Sequence, residues 1–237
     1  MSEPLLLAPP ATAIPLLCSL GNMTSKLTLL ARQADGRAEV ETLIAREFQR
    51  KHQAEIRYFL PQLLSLRCAG TLTAAVGLQA ATQGPLFLEQ YLPQPIEQLL
   101  SEQSGQEVKR GQILEIGNLV SARAGSSLLL MVALSELIAA SRFRWVTFTA
   151  TDEVQSLLSK LHYKPILLAA ANADKLQQPQ SWGAYYQKHP QVMAGMALPA
   201  ITSARRLPRY QLLQQLLAPQ LTELQPQLVR LTEAGHG

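Results

Sequence analysis

The run from residue 112 to residue 149 limits the possible folds more than any other part of the chain. Residues 112–120 are apolar and β-rich, a short loop of small residues follows, and no charged side chain occurs between Gly125 and Glu136. Residues 126–140 have helical length and are apolar on almost every side, and a helix of that kind must be buried. Residues 145–149, Trp-Val-Thr-Phe-Thr, return to β-branched and aromatic types. Strand, buried helix and strand in this order imply a parallel strand pair with the helix covering one face. The strand at 112–120 is expected to be buried on both faces.

The rest of the sequence supplies further elements for the same sheet. Residues 26–33 alternate weakly and stop at the turn signal Asp35-Gly36, while Val40, Leu43, Ile44 and Phe48 recur at helical spacing over residues 37–52. Residues 59–68 and 71–80 read as a hairpin joined by Ala69-Gly70, with Pro61 near the start of the first strand. An irregular stretch over residues 83–111 holds two short helices, at 86–92 and 96–100, separated by Pro93 and Pro95. A helix from Asp152 to about Leu161, a strand over 163–170 and a last strand over 192–198 complete the expectation. The fold class is α/β, with a mixed, mostly antiparallel sheet covered on both faces.

Three regions follow: an N-terminal arm at residues 1–25, a domain at 26–198, and a Leu/Gln-rich helical tail at 199–237 that Pro219 and Pro226 are expected to break. The arm is apolar, but it has no basic start and Pro9, Pro10 and Pro15 interrupt it, so neither a signal peptide nor a transmembrane segment is expected. Cys18 and Cys68 lack metal-ligand spacing and Cys68 falls in a buried strand, which points to a reduced, cytoplasmic setting. With a net charge of +4, only 16% charged residues and no basic block, nucleic acid is not an expected partner. Four histidines without metal spacing and the lack of a Gly-x-Ser-x-Gly elbow remove metalloenzyme and serine-hydrolase readings.

Glu115 is the best catalytic candidate. A carboxylate in the middle of an apolar strand is costly to bury, and burial raises its pKa toward the range of a general base. The structural alternative is a Glu paired with an arginine such as Arg57 or Arg67. Strand alternation places Glu115 and Gly117 on one face and Asn118 on the other. Downstream, Arg123, Gly125, Ser126 and Ser127 precede the buried helix and would offer backbone N–H groups and positive charge to a phosphate, although a plain helix cap fits the same residues.

Several ordered motifs bring a family into view. Pro85-Leu86-Phe87-Leu88-Glu89-Gln90-Tyr91-Leu92 with Glu97, then Glu115-Ile116-Gly117-Asn118-Leu119, Phe148-Thr149-Ala150-Thr151, and Trp182-Gly183-Ala184-Tyr185-Tyr186 resemble the thermostable-haemolysin family over roughly residues 40–198. That family is similar to the acyl-homoserine-lactone synthases and, through them, to the GCN5-related N-acetyltransferases. The resemblance implies an acyltransferase fold in which a thioester lies in the split between the two parallel strands, a backbone N–H polarises its carbonyl, and an amine attacks. Glu115 matches the Glu of the lactone synthases' Glu-x-x-Arg motif, but Asn118 replaces the Arg, which argues against homoserine-lactone synthesis.

The acetyltransferase phosphate loop is matched only loosely, so the donor is either acyl-CoA or an acyl carrier protein, with no tightly bound cofactor. The tyrosine that often protonates the leaving thiolate falls near Leu158. Glu89, Tyr91 and Glu97 occupy the region implied for the amine, although surface glutamates on short helices are the commoner fate. Thr149 could line an acyl tunnel or merely favour a strand, and Trp182, Tyr185 and Tyr186 read as core or lid aromatics. The leading expectation is an N-acyltransferase acting on a medium or long acyl group and a small amine. A membrane-active haemolysin and a non-catalytic acyl-binding module are the alternatives.

Overall fold

The computed structural model describes residues 25–233, so the expected arm, including Cys18, lies outside the described residues apart from Ser25. Seven strands form one sheet: β1 (Ser25–Leu30), β2 (Gln62–Cys68), β3 (Thr71–Ala80), β4 (Ile113–Ser121), β5 (Trp145–Ala150), β6 (Ile166–Ala170) and β7 (Gln191–Met196). Their order is β1-β2-β3-β4-β5-β7-β6. All neighbours pair antiparallel except β4 and β5, which run parallel. The mixed, mostly antiparallel sheet expected from the sequence is therefore present. β7 inserts between β5 and β6.

The helices are α1 (Arg37–His52), α2 (Ile96–Ser104), α3 (Ser126–Ala139), α4 (Asp152–Ser159), α5 (Ala197–Ala204) and α6 (Pro208–Glu233). α3, α5 and α6 cover one face of the sheet, where Leu78, Leu114 and Phe148 meet Leu130, Leu134 and Leu137. The opposite face is covered by α1 over Leu63, Ala75 and Val120. Beside it the segment 86–108 packs over Ile113 and Trp145. Twelve positions of α3 are buried, and each large apolar side chain there contributes about 1.5–3 kcal/mol. Gly125 starts the helix at φ 83°, a left-handed value that glycine adopts freely.

Prolines account for three of the boundaries that differ from the sequence expectation. The strand expected at 59–68 begins at Gln62, after Pro61, and the one expected at 163–170 begins at Ile166, after Pro165; neither proline can donate to a ladder. The last strand ends at Met196 and turns into α5, whose Pro199 lies in the first turn, where a missing N–H is tolerated.

The tail is a larger correction, because α6 continues through both Pro219 and Pro226. Packing outweighs the lost hydrogen bonds: Leu213, Leu217, Leu221, Leu224 and Leu228 form a buried stripe. Glu136 of α3 anchors its first half, accepting from Arg205 Nε at 2.9 Å, Arg205 Nη2 at 2.7 Å, Tyr210 Oη at 2.7 Å and Gln214 Nε2 at 2.9 Å. Gln220 ties the second half to β1 by accepting from Leu27 N–H at 2.6 Å. No helix among the described residues is long and apolar enough to cross a membrane.

Candidate active site

The site begins with a defect in β4. Ala75 pairs with Val120 and Gly77 with Gly117, so two steps along β3 oppose three along β4. The extra residue is a β-bulge, and Asn118 takes it up at φ 50°, a left-handed conformation that Asn tolerates better than most side chains. Its amide is held at both ends: Oδ1 accepts from Leu60 N–H at 2.9 Å, and Nδ2 donates to the Tyr58 carbonyl at 3.3 Å. Gly77 makes room for it, since a Cβ there would sit 2.7 Å from Asn118 Oδ1 and 2.9 Å from Leu60 Cβ.

The bulge corrects the face assigned to Asn118. Alternation set it opposite Glu115, yet the inserted residue shifts the phase, and Asn118 joins Glu115 and Val120 on the face toward α1 and segment 86–108. It also coincides with the end of the parallel pairing. β4 and β5 are paired from Ile113↔Trp145 to Ile116↔Phe148, while β4 continues to Ser121 and β5 to Ala150. From Gly117 onward the β5-facing edge of β4 has no strand partner, and the expected splay is there.

A cavity of about 1370 Å³ opens at this split. On one side it is lined by Met131, Leu134 and Ile138 of α3 and by Leu157 and Leu158 of α4. On the other it reaches Phe48 and His52 of α1, together with Tyr185. Asn118, Ser127 and Thr149 line it, so three of the candidate residues come together. Leu158, where the acetyltransferase tyrosine was expected, is a buried wall residue without a proton to give. Tyr163 and Ser135 also line the cavity and share a hydrogen bond of 2.5 Å between their hydroxyls.

The other candidates are not on that wall. Glu115 is 3% exposed, and its carboxylate accepts from Phe87 N–H at 2.8 Å and Leu88 N–H at 3.0 Å. These bonds secure the 3₁₀ turn Phe87–Tyr91 to the sheet. Burial pushes the carboxyl up to about 7, against the pull of the two N–H groups. The alternative pairing with arginine does not occur: Arg57 bonds Glu55, and Arg67 bonds Glu39 and the Gly70 carbonyl.

Glu89 and Glu97 are bound within the protein. Arg110, which the sequence did not single out, reaches Glu89 Oε1 and Glu97 Oε2 at 2.7 Å each with Nη1, and Glu89 Oε2 at 3.0 Å with Nη2. Glu89 also accepts from Leu86 and Ile96 N–H. Burial resists its ionisation, but Arg110 and these N–H groups hold its pKa below the ordinary value. The hydroxyl of Tyr91 is hydrogen-bonded to that of Tyr186. At the start of α3, Ser126 is buried and its N–H closes a turn onto the Arg123 carbonyl at 3.2 Å, so that N–H is not free for a phosphate; Arg123, in the loop before it, is exposed.

Sequence reasoning gave no site role to His52 or Thr151 and read Tyr185 as a core or lid aromatic. His52 closes α1, and its ring stacks edge-on against Tyr185 with centroids 5.2 Å apart. Burial holds the imidazole below its ordinary 6.5; Lys188 and Lys51 add to this and Glu153 opposes it. Burial likewise raises the Tyr185 hydroxyl. The one available signal was the aromatic run Trp182 to Tyr186, whose members pack with Phe48 and Phe87.

The chain matches the family described as Thermostable hemolysin over residues 30–200. No curated protein sequence matches it. Among solved structures, the AHL synthase LasI is similar with a TM-score of 0.49 at 12% identity, covering 76% of this chain and 94% of that one. BjaI, a CoA-dependent acyl-homoserine lactone synthase with SAM and isopentyl-CoA, gives 0.49 at 12% identity over 79% and 90% of the two chains. FeeM, an N-acyl amino acid synthase from uncultured soil microbes, gives 0.48 at 11% identity over 78% and 95%.

Proposed function

The chain belongs to the thermostable hemolysin family, and from that premise we propose that it is an N-acyltransferase that moves a medium or long acyl group from a thioester to a small amine. The observation that carries this reading is the parting of β4 and β5 after Ile116 and Phe148 over a large cavity with an apolar wall. An unpaired strand edge accepts an extended chain bearing amides, as in strand addition, and the arm of a phosphopantetheine thioester is such a chain. The volume exceeds the roughly 300–1,000 Å³ of ordinary small-molecule pockets, and Met131, Leu134, Ile138 and Leu157 offer an acyl chain no charge.

In the transfer, an unpaired backbone N–H of β4 polarises the thioester carbonyl and stabilises the oxyanion. The amine nitrogen attacks, the C–N bond forms, the C–S bond breaks, and the proton lost by the amine ends on the thiolate. Asn118 fixes the bulge that keeps this edge free, and Ser127 and Thr149 line the donor's path. Glu115 acts as a positioning residue that ties Phe87 and Leu88 to β4. Acyl-CoA and acyl carrier protein both supply the required thioester.

Incubation of the purified protein with acetyl-, octanoyl- and dodecanoyl-CoA and a mixture of amines, followed by thiol release and mass spectrometry, tests the reading. Each buried methylene contributes up to about 0.8 kcal/mol, so octanoyl and dodecanoyl donors should exceed acetyl by at least tenfold in kcat/KM. Acetyl preferred over octanoyl would remove the acyl-tunnel reading, and no amide from any donor would remove the transferase.

A further inference from the structure

The cavity is lined by three buried side chains whose polar groups have no evident role in holding the fold. His52 is 7% exposed, Thr151 5% and Tyr185 8%, and all three line the cavity. Among the described residues no hydrogen bond reaches either ring nitrogen of His52, the Thr151 hydroxyl or the Tyr185 hydroxyl. Nδ1 of His52 is sealed from solvent, whereas Nε2 and the two hydroxyls stay accessible on residues that are otherwise buried, so they face the cavity rather than the protein. Three groups left open to one cavity are what a ligand completes.

The chemistry of the set defines that ligand. Nδ1 of His52 is sealed from solvent without an acceptor, so the neutral ring keeps its proton on Nε2, where it can donate. The hydroxyls of Tyr185 and Thr151 can donate too, and Lys51 lies on the same lining. The carboxylates there are already paired. Glu153 is bound to Lys188 at 3.0 Å and lies 3.8 Å from Lys51, while Glu47 is bound to Arg50 at 2.8 Å. Three open donors beside a lysine call for a ligand that brings acceptor oxygens and negative charge.

We propose that His52, Thr151 and Tyr185 form the subsite for a carboxylate on the acyl acceptor, so that the acceptor is an amino acid rather than a simple amine. This rests on the transferase reading above for the identity of the acceptor, but the carboxylate site stands on the three open donors. A hydrogen bond to a charged group corresponds to about a ten- to a hundredfold change in affinity.

The test uses product-like ligands that need no turnover. N-dodecanoylglycine and N-dodecanoylglycinamide are titrated by calorimetry into the intact protein and into the variants Tyr185→Phe and Thr151→Val. The acid should bind at least tenfold tighter than the amide, and each variant should lose most of that preference. Because neither hydroxyl bonds the protein, the variants should keep their melting temperature, which a structural role would lower. Equal binding of acid and amide, or binding of neither, overturns the assignment. A parallel assay of transfer from dodecanoyl-CoA separates the two proposals. Equal kcat/KM for glycine and glycinamide keeps the transferase and removes the carboxylate subsite. Discrimination between the two ligands without any transfer does the reverse.

Discussion

Replacing Glu115 by Gln gives the sharpest test of how this site is built. Burial raises the carboxyl from an ordinary 4.5 to about 7, so the native state holds the proton more tightly than the unfolded chain between those values. Stability that is fully present below pH 4.5 is therefore lost as pH rises through 7, and the rise corresponds to about 3 kcal/mol. Gln resembles the protonated acid in carrying no charge, but its amide oxygen accepts from only one of the two N–H groups of Phe87 and Leu88, and its NH2 cannot accept from the other. The lost bond sets a constant offset between the two proteins, and from pH 4.5 to pH 8 the stability of the variant relative to wild type should rise by about 3 kcal/mol. For a chain of this size that is roughly 6–12 °C in Tm.

Urea unfolding across this pH range measures the difference directly. His52, whose lowered pKa works in the opposite sense below its ordinary 6.5, is common to both proteins and cancels. A stability difference that stays constant from pH 4.5 to 8 would refute the reasoning, because it would mean the carboxyl is not desolvated. A variant less stable by 3–5 kcal/mol at pH 8 would mean that Glu115 neutralises a buried cation after all. Turnover is the second readout. A positioning Glu115 predicts a modest change in kcat, whereas a loss of about 10²–10⁴ with intact stability would restore it as the general base.

Asn118→Ala should cost about 2–4 kcal/mol in chemical denaturation, since it leaves the buried-side Leu60 N–H unpaired and puts Ala at φ 50°; an unchanged midpoint would show the bulge does not depend on that amide. Arg110→Ala should cost about 2–3 kcal/mol by leaving the half-buried Glu89 and Glu97 without their cation, and because Arg110 helps hold the Glu89 carboxyl below its ordinary 4.5, the loss should shrink as that group protonates at low pH; a loss independent of pH would point to lost packing instead. Leu134→Trp should fill the cavity and shift donor preference toward shorter chains in a competition among acyl-CoAs, and unaltered selectivity would place the acyl chain elsewhere.

Local sequence was enough for the elements whose burial is written along their own length. The apolar residues 126–140 had to be a buried helix, the stretches beside it had to be parallel strands, and Glu115 stood out because an acid in such a strand is costly. Even the parting of β4 and β5 was expected from the strand–helix–strand order joined to the family resemblance. What the sequence could not express was phase and partnership. One inserted residue moved Asn118 to the face of Glu115, and alternation has no means of showing a bulge when the residue is not glycine. Pro219 and Pro226 carry a local signal to stop, yet the leucine stripe of α6 and the bonds from its Tyr210 and Gln214 to Glu136 outweigh it. Arg110 with Glu89 and Glu97, and His52 with Tyr185, meet because the sheet brings together segments far apart in the chain. Periodicity reports which surfaces must leave water; which side chains then share the space is decided only when those surfaces pack, and that packing buries Glu89, Glu97 and Glu115 in internal bonds while leaving His52, Thr151 and Tyr185 open to the cavity.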